Sequence, residues 1–167
     1  MNNSKKIKVF LTIAEKLNST LNSKPIIYGS LGLSLVIDTE IKTDDIDLLI
    51  EASIFSSDLQ TIHQIMMSMG YKCTDVEENA FSNGTFKIGI AHDGDLMAFC
   101  GVNPGKLETI KSTTVIRNVT QTVTYRALGL EDYLRVYQAS SRDGYRKEKR
   151  MKNDSAKIAL IKAVMLA

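Results

Sequence analysis

Hydrophobic positions at the start of the chain fall at helical spacing. Ile7, Phe10, Leu11, Ala14, Leu17 and Leu21 line one stripe, which predicts an amphipathic helix ending in the polar run before Pro25. "PIIY" is too short for a helix and is closed by Gly29, so it predicts a buried strand. Ser30 to about Val36 predicts a short helix with Ser30 as its N-cap, and "DDIDLLIEA" predicts a second strand. Ser56, Ser57 and Asp58 offer caps for a helix carrying Leu59, Ile62, Ile65, Met66 and Met69, which stops at Gly70.

The pattern then turns to strands. "TFKIGIA" and "LMAFCG" flank "HDGD", whose Asp93-Gly94 predicts a two-residue hairpin. "NPG" marks a turn, and the β-branched stretch "TVIRNVTQTVTYRAL" predicts one or two further strands. "LEDYLRVYQAS" returns to helix, with Leu130, Tyr133, Leu134 and Tyr137 on one stripe, and "NDSAKIALIKAVMLA" predicts a last helix capped by Asn153 or Asp154. This order predicts an α+β fold, a mixed β-sheet flanked by helices, over residues 1–128, with a helical C-terminal extension over 129–167 packed on it.

Composition changes this picture little. With 44% hydrophobic and 24% charged residues, the chain lies far from disordered or membrane compositions. A net charge of +2 gives no overall basic field, although Arg142 to Lys152 holds six Lys/Arg against two acids. That run is either a solvated helix face or a patch for a polyanion or a triphosphate. Cys73 and Cys100 form no CxxC pair and read as buried free thiols; with His63 and His92 far apart, the spacing argues against zinc. Glu15 and Lys16 interrupt the N-terminal apolar run, so the expected location is cytoplasmic.

The chemistry concentrates in "YGSLGLSLVIDTEIKTDDIDLLI", Tyr28 to Ile50. A strand that ends in Gly-Ser and opens a helix presents backbone N–H groups and a positive dipole end, with no bulky side chain in the way, which suits phosphate. Asp45 and Asp47, two apart in the predicted strand, leave the same face and repel unless a cation lies between them. Hard oxygen ligands suit Mg²⁺ carried by a nucleotide phosphate. The competing reading is an alternating strand with exposed acids.

This stretch resembles the signature of the DNA polymerase beta-like nucleotidyltransferase superfamily: Gly-Ser, a spacer, then Asp, an apolar residue, and a second acid, matched here by Gly29, Ser30, Asp45 and Asp47. The tail from Ala127 to Ile161 resembles small prokaryotic members grouped with minimal nucleotidyltransferases and abortive-infection toxin-like proteins, with Asn153 where Lys is usual and Lys157 where a second acid is usual. The resemblance implies a nucleotidyltransferase fold and transfer of a nucleoside monophosphate from a nucleoside triphosphate with Mg²⁺. Ser30 and nearby amides would hold the triphosphate, and Asp45 and Asp47 the metal. The acceptor would be a small molecule, a tRNA or a protein.

Relatives also carry a third acid a few residues past an Asp-Gly turn, where it helps bind metal and activates the attacking hydroxyl. Here that position falls on Ala98. Asp95 is the nearest acid and the catalytic candidate, with Asp93 and Glu77 as further ones. Three functions follow: a nucleotidyltransferase, a catalytically degenerate nucleotide-binding or regulatory module, and a nucleic-acid or protein-binding domain working through its basic tail. Tyr28, Tyr133, Tyr137 and Tyr145 are either base-stacking or packing residues. His92, beside the turn, reads as exposed and inert, with a general-base role as the alternative.

Overall fold

The computed structural model describes residues 3–167, with the backbone alone between 144 and 152. Helix α1 (Asn3–Leu21) buries Phe10, Leu11, Ile13, Ala14 and Leu17, the stripe that its spacing predicts. Strand β1 (Ile26–Tyr28) runs directly into α2 (Gly29–Ile37). Strand β2 (Ile46–Ile50) follows, so Asp45 stands one residue ahead of the strand rather than inside it. Helix α3 (Ala52–Ser68) begins earlier than its serines suggest, and Asp58 leaves helical geometry at φ −124 and ψ 23. The residue expected to cap this helix therefore marks a kink within it. Ser30 is likewise not an N-cap: Tyr28 holds that position and makes no side-chain capping bond.

Strands β3 (Lys72–Asp75), β4 (Ala80–Ser82) and β5 (Lys87–His92) come next. The hairpin expected at Asp93-Gly94 does not form, because "LMAFC" is helix α4 (Leu96–Cys100) and not a strand. Asp93 is the reason. Its carboxylate accepts from Ala52 N at 3.0 Å and from Arg126 at 2.9 Å, a tertiary hold that turns the chain away from the sheet. Strands β6 (Glu108–Ile116) and β7 (Val119–Ala127) form a long ribbon closed by Arg117 and Asn118, both at positive φ as a two-residue turn of this kind requires. Helices α5 (Leu130–Arg142) and α6 (Gly144–Leu166) complete the chain, the latter starting ahead of its predicted caps.

Among the described residues seven strands form one mixed sheet in the order β3-β4-β5-β2-β1-β7-β6. One face packs Ile27, Ile46, Leu48, Ile50, Ile88, Ile90 and Val123 against α1 and α3. The other packs Ile26 and Leu49 against residues of α2, α5 and α6, among them Leu33, Tyr133 and Ile161. The α+β class with flanking helices and a helical C-terminus is therefore as the hydrophobic pattern predicts. None of the described helices is long and apolar enough to cross a membrane. Cys73 and Cys100 are free but half-buried rather than buried, and burial pushes the Cys100 thiol up. The basic run Arg142 to Lys152 and Tyr145 lie, from residue 144 on, outside the residues whose side chains are described.

Candidate functional site

Antiparallel pairing sets Tyr28 opposite Asp47, so the end of β1 and the start of β2 meet in the middle of the sheet, on the edge formed by its strand ends. The chain leaves that edge at Gly29 with φ +66, a conformation that glycine adopts without steric cost. Asp47 fills the space beside it: a Cβ on Gly29 would stand 2.7 Å from Asp47 Oδ2. The opening of α2 and one of the two acids are therefore in contact, although fourteen residues separate Ser30 from Asp45. Helix α2 spends that spacer, rising away from the edge and letting the chain return to it.

Asp47 is half-buried, whereas Asp45 is exposed on the lead-in to β2. Thr43 Oγ1 donates to the Asp45 carbonyl at 2.8 Å and shapes this lead-in. Helix α1 anchors the same loop from below: Asn3 Nδ2 donates to Ser34 Oγ at 3.0 Å and to Ile41 O at 3.1 Å, and the buried Lys6 ammonium donates to the Thr43 carbonyl. An open polar cavity of about 520 Å³ lies here, lined by Asn3, Lys6, Lys42, Thr43, Asp44 and Thr85 among others.

The third-acid candidates do not join this edge. Strand β5 runs parallel to β2 and pairs Asp47 with Gly89 but Ile50 with His92. Asp95 therefore lies beyond the opposite end of these strands, roughly 10 Å or more from Asp47 by strand rise. It is exposed there and stands 3.7 Å from His92. Asp93 is buried at that same far end against Arg126. Glu77 is on the turn between β3 and β4, with β5 standing between β4 and β2. Ala98 is in α4. No group of three or more His, Cys, Asp or Glu side chains able to hold a metal occurs among the described residues.

Behind the edge sits Tyr133, wholly buried, its hydroxyl donating to Ile27 O at 3.3 Å. Tyr137 stacks on it at 6.2 Å and carries the Lys157 ammonium 4.9 Å above its ring. Both tyrosines are packing groups, so of the four candidates for base stacking only the half-buried Tyr28 is described at the cleft itself. His92 is tied locally, its Nδ1 accepting from Gly94 N at 3.1 Å.

Burial pushes the Tyr133 phenol well above 10.0, and Tyr137, Tyr28, Asp47 and Asp132 add to the rise. The folded state thus keeps its proton where the unfolded chain loses it. Stability from this group is complete below pH 10 and declines as pH rises towards the folded-state value. A spectrophotometric titration near 295 nm is expected to show the last phenol ionising only together with unfolding; reversible ionisation of all six tyrosines in the folded protein would contradict the burial.

Sequence reasoning missed Gly89 and Lys87 at this edge. A Cβ on Gly89 would stand 2.7 Å from Asp47 Oδ1, so Asp47 is held between two glycines. The signal was available, since an isolated glycine inside a strand pattern marks a close approach.

No family model matches the chain. It is 34% identical over 152 residues to the uncharacterized protein YnaI of Bacillus subtilis (strain 168), covering 91% of this chain and 92% of that protein. In structure it is similar to an antigenic nucleotidyltransferase-like protein from Paracoccidioides brasiliensis, with a TM-score of 0.51 and 15% identity, covering 95% of this chain and 76% of that one. The likeness shows a nucleotidyltransferase fold and leaves the reaction to the site.

Proposed function

The chain belongs to the family of the uncharacterized Bacillus subtilis protein YnaI, and from that premise we propose a nucleotidyltransferase that moves a nucleoside monophosphate from a nucleoside triphosphate to a hydroxyl acceptor. The observation that carries this reading is the contact of Gly29 with Asp47. A turn offering free amides and a positive helix end is the place for phosphate, and an acid touching it is the place for the cation that accompanies phosphate.

Mg²⁺ fits this donor set in one respect. It binds through one or two carboxylates together with substrate phosphates, and the edge offers Asp45 and Asp47 within a single lead-in and strand. When bound, the ion would neutralise charge developing on the phosphate. The chain's own part is positional: amides after Gly29 and Ser30 orient the triphosphate, and α2 directs its dipole at it. A second metal held by three acids does not fit, because no three acidic side chains among the described residues are grouped so that they could hold one.

That shortage favours one further reading, a module that binds nucleotide and transfers it poorly. Labelled triphosphates with Mg²⁺, offered with small-molecule, RNA and protein fractions, separate the two. Transfer predicts label in one fraction, falling at least about 100-fold in Asp47→Ala, of the order that loss of one transition-state electrostatic contact costs. Saturable binding without product supports the module. Neither binding nor product removes both.

A further inference from the structure

The strand beside the two aspartates carries a cation where an acid would close the site. In the parallel pairing of β2 and β5, Ile46 meets Ile88 and Asp47 meets Gly89. Registered residues share a face, so alternation puts Lys87, Gly89 and Ala91 on the Asp47 side. Ile88 and Ile90, 1% and 2% exposed, are buried on the other. Gly89 admits no acid there, since even a Cβ would meet Asp47 Oδ1 at 2.7 Å.

Lys87 lies one step before Ile88 and is therefore level with Asp45, on a strand about 4.8 Å away. It is exposed, and the ion pairs among the described residues, His92 with Asp95 and Arg126 with Glu51 and Asp93, leave it out. A four-carbon stem is long enough for its ammonium to reach the mouth of the cleft. A triphosphate brought beside two carboxylates faces strong like-charge repulsion. One magnesium ion relieves part of it, and no acid cluster is described that would hold a second.

We propose that Lys87 is a phosphate-binding residue, its ammonium holding non-reacting phosphate oxygens of the nucleoside triphosphate at the rim of Asp45 and Asp47. A side chain thereby does what a second, acid-bound metal would do. The inference rests on the nucleotide-binding reading above and goes beyond it in one consequence: polyphosphate binding retains a metal-independent part, and Lys87 supplies it.

Calorimetric titration with inorganic tripolyphosphate tests this whatever the donor base. The folded protein is titrated in EDTA and in Mg²⁺, as wild type, Asp47→Ala, Lys87→Ala, Lys87→Glu and Lys111→Ala, the last at an exposed lysine on β6 at the far edge of the sheet. The wild type is expected to bind in both media. Lys87→Ala is expected to lose tenfold or more in EDTA and less in Mg²⁺, Lys87→Glu to bind only with Mg²⁺, and Lys111→Ala to match the wild type. Equal affinity of wild type and Lys87→Ala in EDTA overturns the role of Lys87, as does an equal loss in Lys111→Ala. If Asp47→Ala still alters binding, nucleotide binding at this edge survives that result. Absence of wild-type binding in both media overturns the two together.

Discussion

Asp93→Ala is expected to destabilise the protein by about 3–5 kcal/mol, the cost of leaving a buried charge without its partner. Asp93 is 6% exposed, and its Oδ2 accepts from Arg126 Nη1 at 2.9 Å. Arg126 also donates from Nε to Lys24 O at 2.7 Å, while its Nη2 has no hydrogen-bond partner and lies 3.7 Å from Glu51 Oε1. Removing Asp93 leaves Glu51, among the described residues, as the carboxylate paired with the guanidinium, at the longer distance. It also frees Ala52 N at the start of α3. Chemical denaturation should show the loss in the midpoint with little change in slope. Replacing both members, Asp93→Ala with Arg126→Met, should cost less than the sum of the single changes, because the uncompensated charge is then gone. A loss below about 1 kcal/mol in Asp93→Ala would mean that water reaches Arg126 and that the pair does not hold this end of the sheet.

The same cluster explains why the sequence misled at one place. Asp93-Gly94 between apolar runs has the local chemistry of a hairpin, and nothing within ten residues contradicts it. The deciding partners are Arg126 and Ala52, contributed by β7 and by the start of α3. Local turn preference is overridden by a buried ion pair that only the folded sheet brings together. The error carried forward, since a strand after that turn is what would have put Ala98 or Asp95 near the two aspartates.

Elements with a single strong period were readable. The stripe from Ile7 to Leu21 buries one side of its helix, while the largely apolar runs Ile26 to Tyr28 and Ile46 to Ile50 are buried on both faces of the sheet, and each fixes its element without outside help. The approach of Gly29 to Asp47 was foreseeable for the same reason, because a strand, a short helix and a second strand leave few ways to return to one edge. Which strand flanks Asp47 on its other side was not. Periodicity gives "TFKIGIA" a buried and an open side but no neighbour. The meaning of Lys87 and Gly89 depends on β5 pairing parallel to β2 across a chain separation of about forty residues.

The second glycine of "GSLG" is the position where a single methyl group is expected to do the most damage. A Cβ on Gly32 would stand 2.0 Å from the Tyr133 hydroxyl and 2.8 Å from Ile27 O. Tyr133 is fully buried and cannot swing aside, and the carbonyl belongs to β1. Gly32→Ala should therefore cost about 3 kcal/mol or more, at the upper end of overpacking in a filled core, despite the better helix propensity of alanine. Tyr133→Phe alone should cost about 1 kcal/mol for the lost hydrogen bond to Ile27 O. It also opens the tighter of the two contacts, so the double variant should be clearly more stable than the sum of the single losses predicts. Strictly additive losses in denaturation would show that α2 simply moves outward to admit the methyl. In that case the opening of α2 would shift against Asp47, and tripolyphosphate affinity in Gly32→Ala would fall alongside stability. With α2 held in place, binding per folded molecule stays at the wild-type value. The measurement thus reads whether the Tyr133 anchor under α2 sets the geometry of the cleft or only fills the core behind it.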